Sequence, residues 1–337
     1  MIVGCQFALA AIGPLSGFQS ALSPVGPGAQ RAANLWLGIL ALCIVVFIAV
    51  WAVLLNGVSR TYRAFDAPPP PLLDTENSDR KARKIVSFAI AASLVALFVV
   101  LVSSVATSKK VTEALSSKQP LAIDVVGHQW WWEIHYPNAV DASQTIITAN
   151  EIHIPVGVPI LMNAASRDVI HSFWAPNVHG KRDLIPGYTS AFYFQVDKPG
   201  IYRGQCAEFC GLQHAKMAFF IIAEPADKFK EWQAQQLAAA PAPTNDLQQR
   251  GQQVFLRSSC VMCHTIRGTI AGSRVGPDLT HLASRQSIAA ATLPNNPGSL
   301  GAWIVDSQHI KPGNKMPPNP ISGDDLTALL AYLENLK

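Results

Sequence analysis

Two long apolar segments near the N-terminus constrain this chain more than any other feature of its sequence. Residues 35–55 and residues 85–106 contain no charged side chain. Each segment reaches the ~20 residues that a helix needs to cross the ~30 Å apolar core of a bilayer. Two segments of this length, flanked by basic residues, argue against core helices of a soluble protein. The sequence therefore predicts a membrane-anchored protein with a two-helix transmembrane hairpin over residues 31–110.

Basic residues predict the orientation of this hairpin. Residues 57–84, which connect the two apolar segments, contain Arg60, Arg63, Arg80, Lys81, Arg83 and Lys84, whereas the outer flanks carry chiefly Arg31, Lys109 and Lys110. Because cytoplasmic loops are enriched in Lys and Arg, loop 57–84 is predicted in the cytoplasm. Residues 1–30 and everything after the hairpin then lie outside. Cys5 resembles a lipidated cysteine, but the four residues before it lack the usual signal, so both lipidation and the true N-terminus stay open.

The region after the hairpin divides into two predicted domains and a linker. Residues 119–223 alternate apolar and polar positions between Gly and Pro turns, with strands predicted over 145–154, 158–163, 190–196 and 217–223. Short strands separated by regular turns are typical of an all-β sandwich. Residues 224–245 are a predicted linker, with a short helix over 228–240 and an Ala/Pro-rich tether. Residues 246–337 form a small C-terminal domain.

Soft metal ligands are concentrated in one stretch, Cys206-Ala-Glu-Phe-Cys210-Gly-Leu-Gln-His214-Ala-Lys-Met217, and His171 lies 35 residues upstream of it. Thiolate, imidazole and thioether groups bind copper and tune its potential. Two thiolates can each bridge two ions, so this loop is suited to hold a copper pair for electron transfer. A disulfide between Cys206 and Cys210 is the alternative. It gives no role to His214, Met217 or His171.

A second site is predicted near the C-terminus, where Cys260-Val-Met-Cys263-His264 has the pattern of covalent haem c attachment. The two thiols add to the vinyl groups of the haem, and the histidine is an axial ligand of its iron. A redox dithiol and half of a zinc site are the alternatives. Neither requires the histidine, and the sequence has no second C-x-x-C to complete a zinc site.

The sixth iron ligand is predicted by elimination among the five methionines. Met262 is confined between the two attachment cysteines, Met217 belongs to the copper loop, and Met162 lies in another domain. Met316 remains, in the rigid segment Lys311-Pro-Gly-Asn-Lys-Met316-Pro-Pro. Histidine–methionine ligation raises the potential of a haem. His281 and His309 are weaker alternatives for this position.

The copper motif resembles that of subunit II of the bacterial haem–copper cytochrome c oxidases. The family pattern V-x-H followed by C-x-E-x-C-x-x-x-H-x-x-M is met at every position. The resemblance implies a cupredoxin fold and the binuclear CuA centre. Its implied ligands are His171, Cys206, Cys210, His214, Met217 and the main-chain carbonyl of Glu208. The Glu208 carboxylate would bind a magnesium or manganese ion at the boundary with subunit I.

Further segments extend the resemblance over most of the chain. Gly127-His-Gln-Trp130 matches the family segment beside the copper centre, which implies that Trp130 is the electron entry point; burial of an aromatic core residue is the alternative. Gly251-Gln-Gln-Val-Phe255, Gly276-Pro-Asp-Leu279 and a helix predicted over residues 326–336 resemble a class I cytochrome c, an all-α fold. A fused haem domain of this kind indicates the caa type of oxidase.

The resemblance implies an electron-input subunit of an aerobic terminal oxidase. Electrons would come from a cytochrome c or a quinol:cytochrome c complex and pass through haem c and CuA to haem a of subunit I. Oxygen would be reduced to water there, with proton pumping, so no catalytic residue is expected in this chain. The expected partners are subunit I, the other oxidase subunits and membrane lipid. The expected location is the bacterial plasma membrane, with copper and haem c on the extracytoplasmic side.

Two alternatives remain from the sequence. One is the electron-input subunit of a CuA-containing nitric oxide reductase, and the other is a membrane-anchored electron carrier without a fixed enzyme partner. The formal net charge of +4 is spread over the chain, and no basic nucleic-acid patch is found, so no nucleic-acid partner is expected. Residues 120–223 carry a net charge of −2 and residues 246–337 one of +2, a weak complementarity that permits transient docking of the two domains; simple solvation of most of these charges is the alternative.

Overall fold

The computed structural model describes residues 19–63, 75–116, 118–138 and 140–337. The chain forms two compact units. One unit comprises residues 30–113, and the other comprises residues up to 29 together with residues 114–337. Cys5 and the prolines of the predicted cytoplasmic loop, residues 68–71, lie outside the described residues.

The first unit is built from two long helices, α1 (Pro27–Arg63) and α2 (Thr75–Ser116). Both helices are long and apolar enough to cross a membrane. Large apolar side chains point outward; Phe47 is 62% exposed and Phe88 is 77% exposed. The Arg31 guanidinium donates a hydrogen bond of 3.2 Å to the Lys110 carbonyl, which joins the start of α1 to the end of α2. Residues 57–63 and 75–84 are helical, so the connection between the helices is shorter than the predicted loop 57–84.

The second unit contains two five-stranded sheets packed face to face, which confirms the predicted all-β sandwich. The first sheet has the order β3-β2-β1-β5-β8 and the second has the order β4-β10-β9-β6-β7. The strands are β1 (Leu121–His128), β2 (Trp131–Tyr136), β3 (Ile146–Ala149), β4 (Glu151–Pro155), β5 (Ile160–Ser166), β6 (His171–Trp174), β7 (Arg182–Leu184), β8 (Ser190–Phe194), β9 (Gly200–Cys206) and β10 (Ala218–Glu224).

Aromatic side chains fill the space between the two sheets. Trp132 on β2, Phe173 on β6 and Phe219 on β10 are fully buried. The ring centroids of Phe173 and Phe219 are 4.3 Å apart, and the Trp132 ring meets the Phe219 ring edge-on at 5.2 Å. Aromatic residues of this size contribute much of a core's apolar burial. They join β2, β6 and β10, and the last two of these strands border the predicted copper loop.

One predicted strand is wrong. Residues 145–154 form β3 and β4, which belong to different sheets. Asn150 separates them with a φ of 63°, in the left-handed region that asparagine tolerates better than most residues. Its side-chain oxygen accepts a hydrogen bond of 2.9 Å from the backbone N–H of Trp132. The chain therefore crosses from one sheet to the other at this residue, which an apolar–polar alternation does not reveal.

Helix α3 (Ala226–Leu237) covers one side of the sandwich and starts earlier than the predicted helix over 228–240. Phe229 is 5% exposed, and the Trp232 ring stacks on the His153 imidazole with centroids 4.3 Å apart. The Tyr136 ring meets the Trp232 ring edge-on at 5.0 Å. The first half of the predicted linker is thus packed on the β-domain.

The C-terminal region is a small helical domain, as predicted. Its helices are α4 (Asp246–Arg257), α5 (Pro297–Val305), α6 (Ser307–Ile310) and α7 (Gly323–Leu333), and it adds a two-stranded ladder of β11 (Ser287–Ile288) and β12 (Leu293–Pro294). Helices α4 and α7 approach closely at Gly251, where a Cβ atom would lie 1.9 Å from the Ala328 carbonyl oxygen. Phe255 and Tyr332 are buried beside this crossing and anchor the domain core.

Candidate metal and haem centres

The fold brings the soft ligands of the copper motif together at one end of the sandwich. His171 is the first residue of β6, Cys206 is the last residue of β9, and these strands pair so that Phe173 lies opposite Cys206. After Cys206 the chain forms a tight loop with a 3-10 turn over His214–Lys216 before β10 begins. Strand pairing therefore explains how a histidine 35 residues upstream reaches the cysteine loop.

Five donor atoms form one continuous cluster. The Cys206 Sγ atom lies 3.8 Å from Cys210 Sγ and 3.9 Å from His171 Nδ1. On the other side, Cys210 Sγ lies 3.6 Å from His214 Nδ1 and 3.8 Å from Met217 Sδ. Bonds from a thiolate to a metal are roughly 2.3 Å long, so two sulfurs at this separation can bind the same ion. One imidazole lies next to each sulfur, and this arrangement suits two ions that share both thiolates.

Four of the five side chains in the cluster are buried, and His214 is partly exposed. His171 and Met217 are fully buried, and Cys206 and Cys210 are 2% and 3% exposed. A disulfide has sulfurs roughly 2.05 Å apart, so at 3.8 Å the two cysteines are free thiols. The hydrogen bond with Cys210 lowers the pKa of Cys206 to about 3, while the same pairing raises the pKa of Cys210. This shift favours the thiolate form of Cys206, which is the form that binds a metal ion.

Asp168 orients the buried histidine. Its Oδ1 atom accepts a hydrogen bond of 2.9 Å from His171 Nε2, which leaves Nδ1 facing the sulfurs. Burial opposes the charge on His171, but hydrogen bonds to Cys206 and Asp168 raise its pKa above the ordinary value. Gly127 gives the ring room, because a Cβ atom there would lie 2.7 Å from the imidazole. Asp168 was not predicted from the sequence, although its position three residues before His171 was a usable signal.

Glu208 presents its two functional groups in different directions. Its main-chain carbonyl lies 3.2 Å from Cys206 Sγ, within reach of the cluster. Its carboxylate is 43% exposed and pairs with the Lys181 ammonium at 3.5 Å. Among the residues that the structure describes, this carboxylate belongs to no group of three convergent ligands. A magnesium or manganese site at Glu208 would need ligands from another subunit and stays a prediction.

The haem-attachment residues line a mainly apolar cavity in the helical domain. Cys260, Cys263, His264 and Met316 all line this cavity. The His264 Nδ1 atom makes a hydrogen bond of 2.7 Å to the Pro277 carbonyl, so Nε2 is free to bind a metal. Burial lowers the pKa of His264, which keeps the imidazole neutral, as an iron ligand requires. The cavity residues thus fit a covalent haem c.

The segment before Met316 is held by a network of hydrogen bonds. The Met316 carbonyl accepts bonds of 2.6 Å from Ser307 Oγ and 2.7 Å from Gln308 Nε2, and its N–H donates to Asn314 Oδ1 at 2.8 Å. The other methionines in question lie elsewhere: Met262 is 71% exposed, and Met162 is buried in the core of the sandwich. This geometry supports Met316 as the axial ligand, which stays a prediction.

Trp130 contacts the copper loop and also lines the haem cavity. Its indole Nε1 donates a hydrogen bond of 2.9 Å to the Cys210 carbonyl, within the copper loop. The same residue is 8% exposed and contributes to the lining of the haem cavity. The neighbouring tryptophans have separate surroundings, since Trp132 lies in the sandwich core and Trp131 stacks on His128 at 4.4 Å.

The helical domain packs on the β-domain, including the copper loop, through specific hydrogen bonds that the net charges did not predict. The Glu151 carboxylate, 3% exposed, accepts hydrogen bonds of 2.9 Å and 3.0 Å from the backbone N–H groups of Gln286 and Ser287. Gln213, in the copper loop, donates a bond of 2.7 Å to the Pro312 carbonyl. These hydrogen bonds involve main-chain groups, so the net charges of the two domains could not predict them.

Comparisons with known families agree with both centres. Residues 121–224 match the family described as cytochrome c oxidase subunit II, periplasmic domain, and residues 248–337 match the cytochrome c family. The first match implies copper in the sandwich, where the soft ligands converge. The second implies haem c in the helical domain, where the C-x-x-C-H motif lines the cavity.

Individual relatives extend the similarity beyond single domains. Cytochrome c oxidase subunit 2 of Alkalihalophilus pseudofirmus is 41% identical over 216 residues, 64% of this chain and 61% of the relative. That of a Bacillus species is 30% identical over 262 residues and covers 72% of each chain. The solved periplasmic domain of subunit II of cytochrome oxidase from Bradyrhizobium japonicum is 30% identical, with a TM-score of 0.33, over 35% of this chain and 93% of that one. The chain spans somewhat less than two thirds of the first of these relatives.

Proposed function

Because the chain belongs to the cytochrome c oxidase subunit II family, we propose that it is the electron-input subunit of an aerobic terminal oxidase of the caa type. Electrons enter at haem c from a cytochrome c or from a quinol:cytochrome c complex. They leave through a binuclear copper centre toward haem a in subunit I, where oxygen is reduced to water with proton pumping. This chain supplies both entry centres and no oxygen-reducing site.

The observation that carries this proposal is the contact of Trp130 with both centres. Its indole bonds to the Cys210 carbonyl in the copper loop and lines the cavity that contains the haem-attachment residues. Electron transfer through protein depends on short, well-packed connections between redox groups. A buried indole between the two sites supports a route from haem c to copper within one chain.

The copper ligands in this proposal are His171, Cys206, Cys210, His214, Met217 and the Glu208 carbonyl. The bound copper pair would supply reversible one-electron chemistry. The protein holds the ligands in place before any metal binds, because the cluster is buried and Asp168 fixes the His171 ring. Small rearrangement on electron gain or loss favours fast transfer. Cys260, Cys263, His264 and Met316 would hold the haem in the same preorganised way.

The proposed location is the bacterial plasma membrane, with both redox domains on the extracytoplasmic side. Two helices that are long and apolar enough to cross a membrane support anchoring. The basic residues between them support the sidedness, by the preference of Lys and Arg for the cytoplasm. Subunit I and the other oxidase subunits are the proposed partners, since subunit II carries electrons to a reaction that it does not perform.

The test is to purify the native complex from membranes through a tag on this chain and to record its reduced-minus-oxidised spectrum. The proposal expects haem a bands beside haem c bands, together with oxygen consumption driven by reduced cytochrome c. Nitric oxide reduction without haem a would instead indicate a CuA-containing nitric oxide reductase. Recovery of this chain alone, with no haem a subunit, would indicate an electron carrier without a fixed enzyme partner.

A further inference from the structure

Lys311 has its charged group buried between the helical domain and the β-domain. The residue is 2% exposed, although lysine is rarely buried to this extent. Its Nζ atom donates to three main-chain carbonyls: to Trp130 at 2.9 Å, to Lys216 at 2.9 Å and to Ala289 at 3.1 Å. An ammonium group has three N–H donors, so its hydrogen-bonding capacity is fully used.

The three carbonyls belong to three segments that the proposed function uses. Trp130 contacts the copper loop, and Lys216 directly precedes Met217 within that loop. Ala289 belongs to the helical domain, between β11 and β12. Lys311 itself begins the segment that leads to Met316. One ammonium therefore joins the candidate electron path on the copper side to the loop that carries the candidate haem ligand.

The backbone around Ala289 is held in an unfavourable conformation. Ala289, Ala290 and Ala291 have φ values of 54°, 59° and 55°, in the left-handed region that residues with a Cβ atom rarely adopt. The Ala290 carbonyl accepts a hydrogen bond of 3.2 Å from the Ala218 N–H, at the start of β10. Such strain persists only where the surroundings hold it, and it is concentrated at functional positions. Here this conformation directs the Ala289 carbonyl at Lys311 and the Ala290 carbonyl at the β-domain.

Burial of a lysine side chain removes water from its ammonium group, which costs free energy that an exposed lysine does not lose. Burial, together with the nearby Lys216 charge, lowers the pKa of Lys311 to about 7. By contrast, Lys315 on the same segment is 64% exposed and lies 3.5 Å from the Asp168 carboxylate. A pair whose ammonium group is exposed to solvent contributes little to stability. Three matched carbonyl acceptors around a buried lysine fix one arrangement of its partners, because any shift leaves carbonyls or N–H groups unpaired.

We propose that Lys311 is a positioning residue that holds the haem domain against Trp130 and the copper loop, so that electrons pass between the two centres from a single docked arrangement. This inference rests on the proposed electron-transfer function. In this arrangement the two domains stay in contact, and transfer does not require that they first collide. The rate in the intact chain is then independent of domain motion.

The experiment compares the full-length protein with Lys311→Met, in which a side chain of similar length lacks the ammonium. Lys230→Met makes the same chemical change at an exposed position of α3 and is the matched control. Haem c is reduced by a flash with a photoactivated ruthenium reagent, and electron arrival at copper is followed at increasing glycerol concentration. Haem c and copper spectra of each variant establish that both centres are intact.

The proposal expects wild type and Lys230→Met to transfer at a rate that does not depend on viscosity. Lys311→Met should transfer at least ~10-fold more slowly, as small misplacements of reacting groups produce large rate losses. Its rate should also fall as viscosity rises, because domain motion then limits transfer. A merely structural lysine would not introduce this viscosity dependence while both spectra stay normal.

Equal rates in Lys311→Met and wild type, both independent of viscosity, would overturn the proposal. If Lys311→Met fails to bind copper or haem, Lys311→Gln keeps a shorter donor and undergoes the same measurement. A viscosity-dependent and slower rate in Lys311→Gln supports positioning, and an unchanged rate overturns it. No transfer from haem c to copper in the wild type would instead contradict the proposed function itself.

Discussion

The indole of Trp130 donates a hydrogen bond of 2.9 Å to the main-chain carbonyl of Cys210. This bond ties an aromatic ring that lines the haem cavity to the backbone between two candidate copper ligands. Hydrogen bonds and packed rings shorten the through-space gaps that an electron must cross. Trp130, which the sequence singled out only through the motif Gly127-His-Gln-Trp130, thus contacts the copper loop and lines the haem cavity.

Trp130→Ala should slow electron transfer from haem c to copper, because it removes both the ring and the hydrogen bond to Cys210. Trp130→Phe keeps an aromatic ring without the N–H donor and should give an intermediate rate. Flash-reduction kinetics on the full chain would measure both. Trp232→Phe is the control, since Trp232 stacks on His153 at the far side of the β-domain and lines neither centre. If Trp130→Ala transfers at the wild-type rate, the tryptophan only packs.

Met316→Ala should leave haem c attached through Cys260 and Cys263 but open the sixth coordination position. Loss of a thioether that favours ferrous iron should lower the haem potential, within the ~0.8 V that axial ligands span. Potentiometric titration and the near-infrared methionine–iron band measure the two effects. Met262→Ala, at a methionine that is 71% exposed, should change neither. A native potential and band in Met316→Ala would refute the ligand assignment.

Asp168→Asn should weaken copper binding about 10- to 100-fold, the usual effect of removing a partner that orients a metal-binding histidine. Burial raises the pKa of Asp168, but hydrogen bonds from His171, Gln129 and Val169 lower it below the ordinary value, so the group is ionised at neutral pH. The asparagine loses that charge and favours the wrong tautomer of His171. Chelator competition measures the affinity. Asp227→Asn, at an exposed position in the first turn of α3, serves as the control.

Cys206→Ser and Cys210→Ser should each abolish the copper pair, because a serine hydroxyl is a hard ligand that stays protonated and bridges poorly. Haem c should remain reducible while electron delivery stops. Cys43→Ser, at an exposed position of α1, should have no effect on either centre. Paramagnetic resonance of the wild type should show one unpaired electron shared over two copper nuclei. A signal from a single copper nucleus would contradict the binuclear assignment.

The sequence predicted the candidate ligands more fully than it predicted their surroundings. Ligand chemistry and spacing identified His171 and Cys206, and the pairing of β6 with β9 explains why they meet. The sheet change at Asn150 was not predicted, because it depends on one residue's φ and on a partner strand. Periodicity describes the faces of a strand but does not report where a chain leaves its sheet.

The proposed role of Lys311 could not be predicted from the sequence either. In the sequence it is one lysine before Pro312 and Gly313, with nothing to distinguish it from a solvated surface residue. Its role depends on three carbonyls from segments more than 20 residues away in the chain. Main-chain acceptors carry no sequence signature, so contacts of this kind become visible only when the fold is known. Asp168 was also missed, although an acidic residue three positions before a ligand histidine is a local pattern.

One chain that passes electrons from haem c to a copper pair should do so within a single molecule. Flash reduction of haem c in the intact wild-type protein, with haem c and copper absorbance followed together, tests this transfer. We expect haem c to be reoxidised and copper to be reduced with the same rate constant, at a rate independent of protein concentration. Haem c that stays reduced while copper stays oxidised, or transfer that depends on protein concentration, would contradict it.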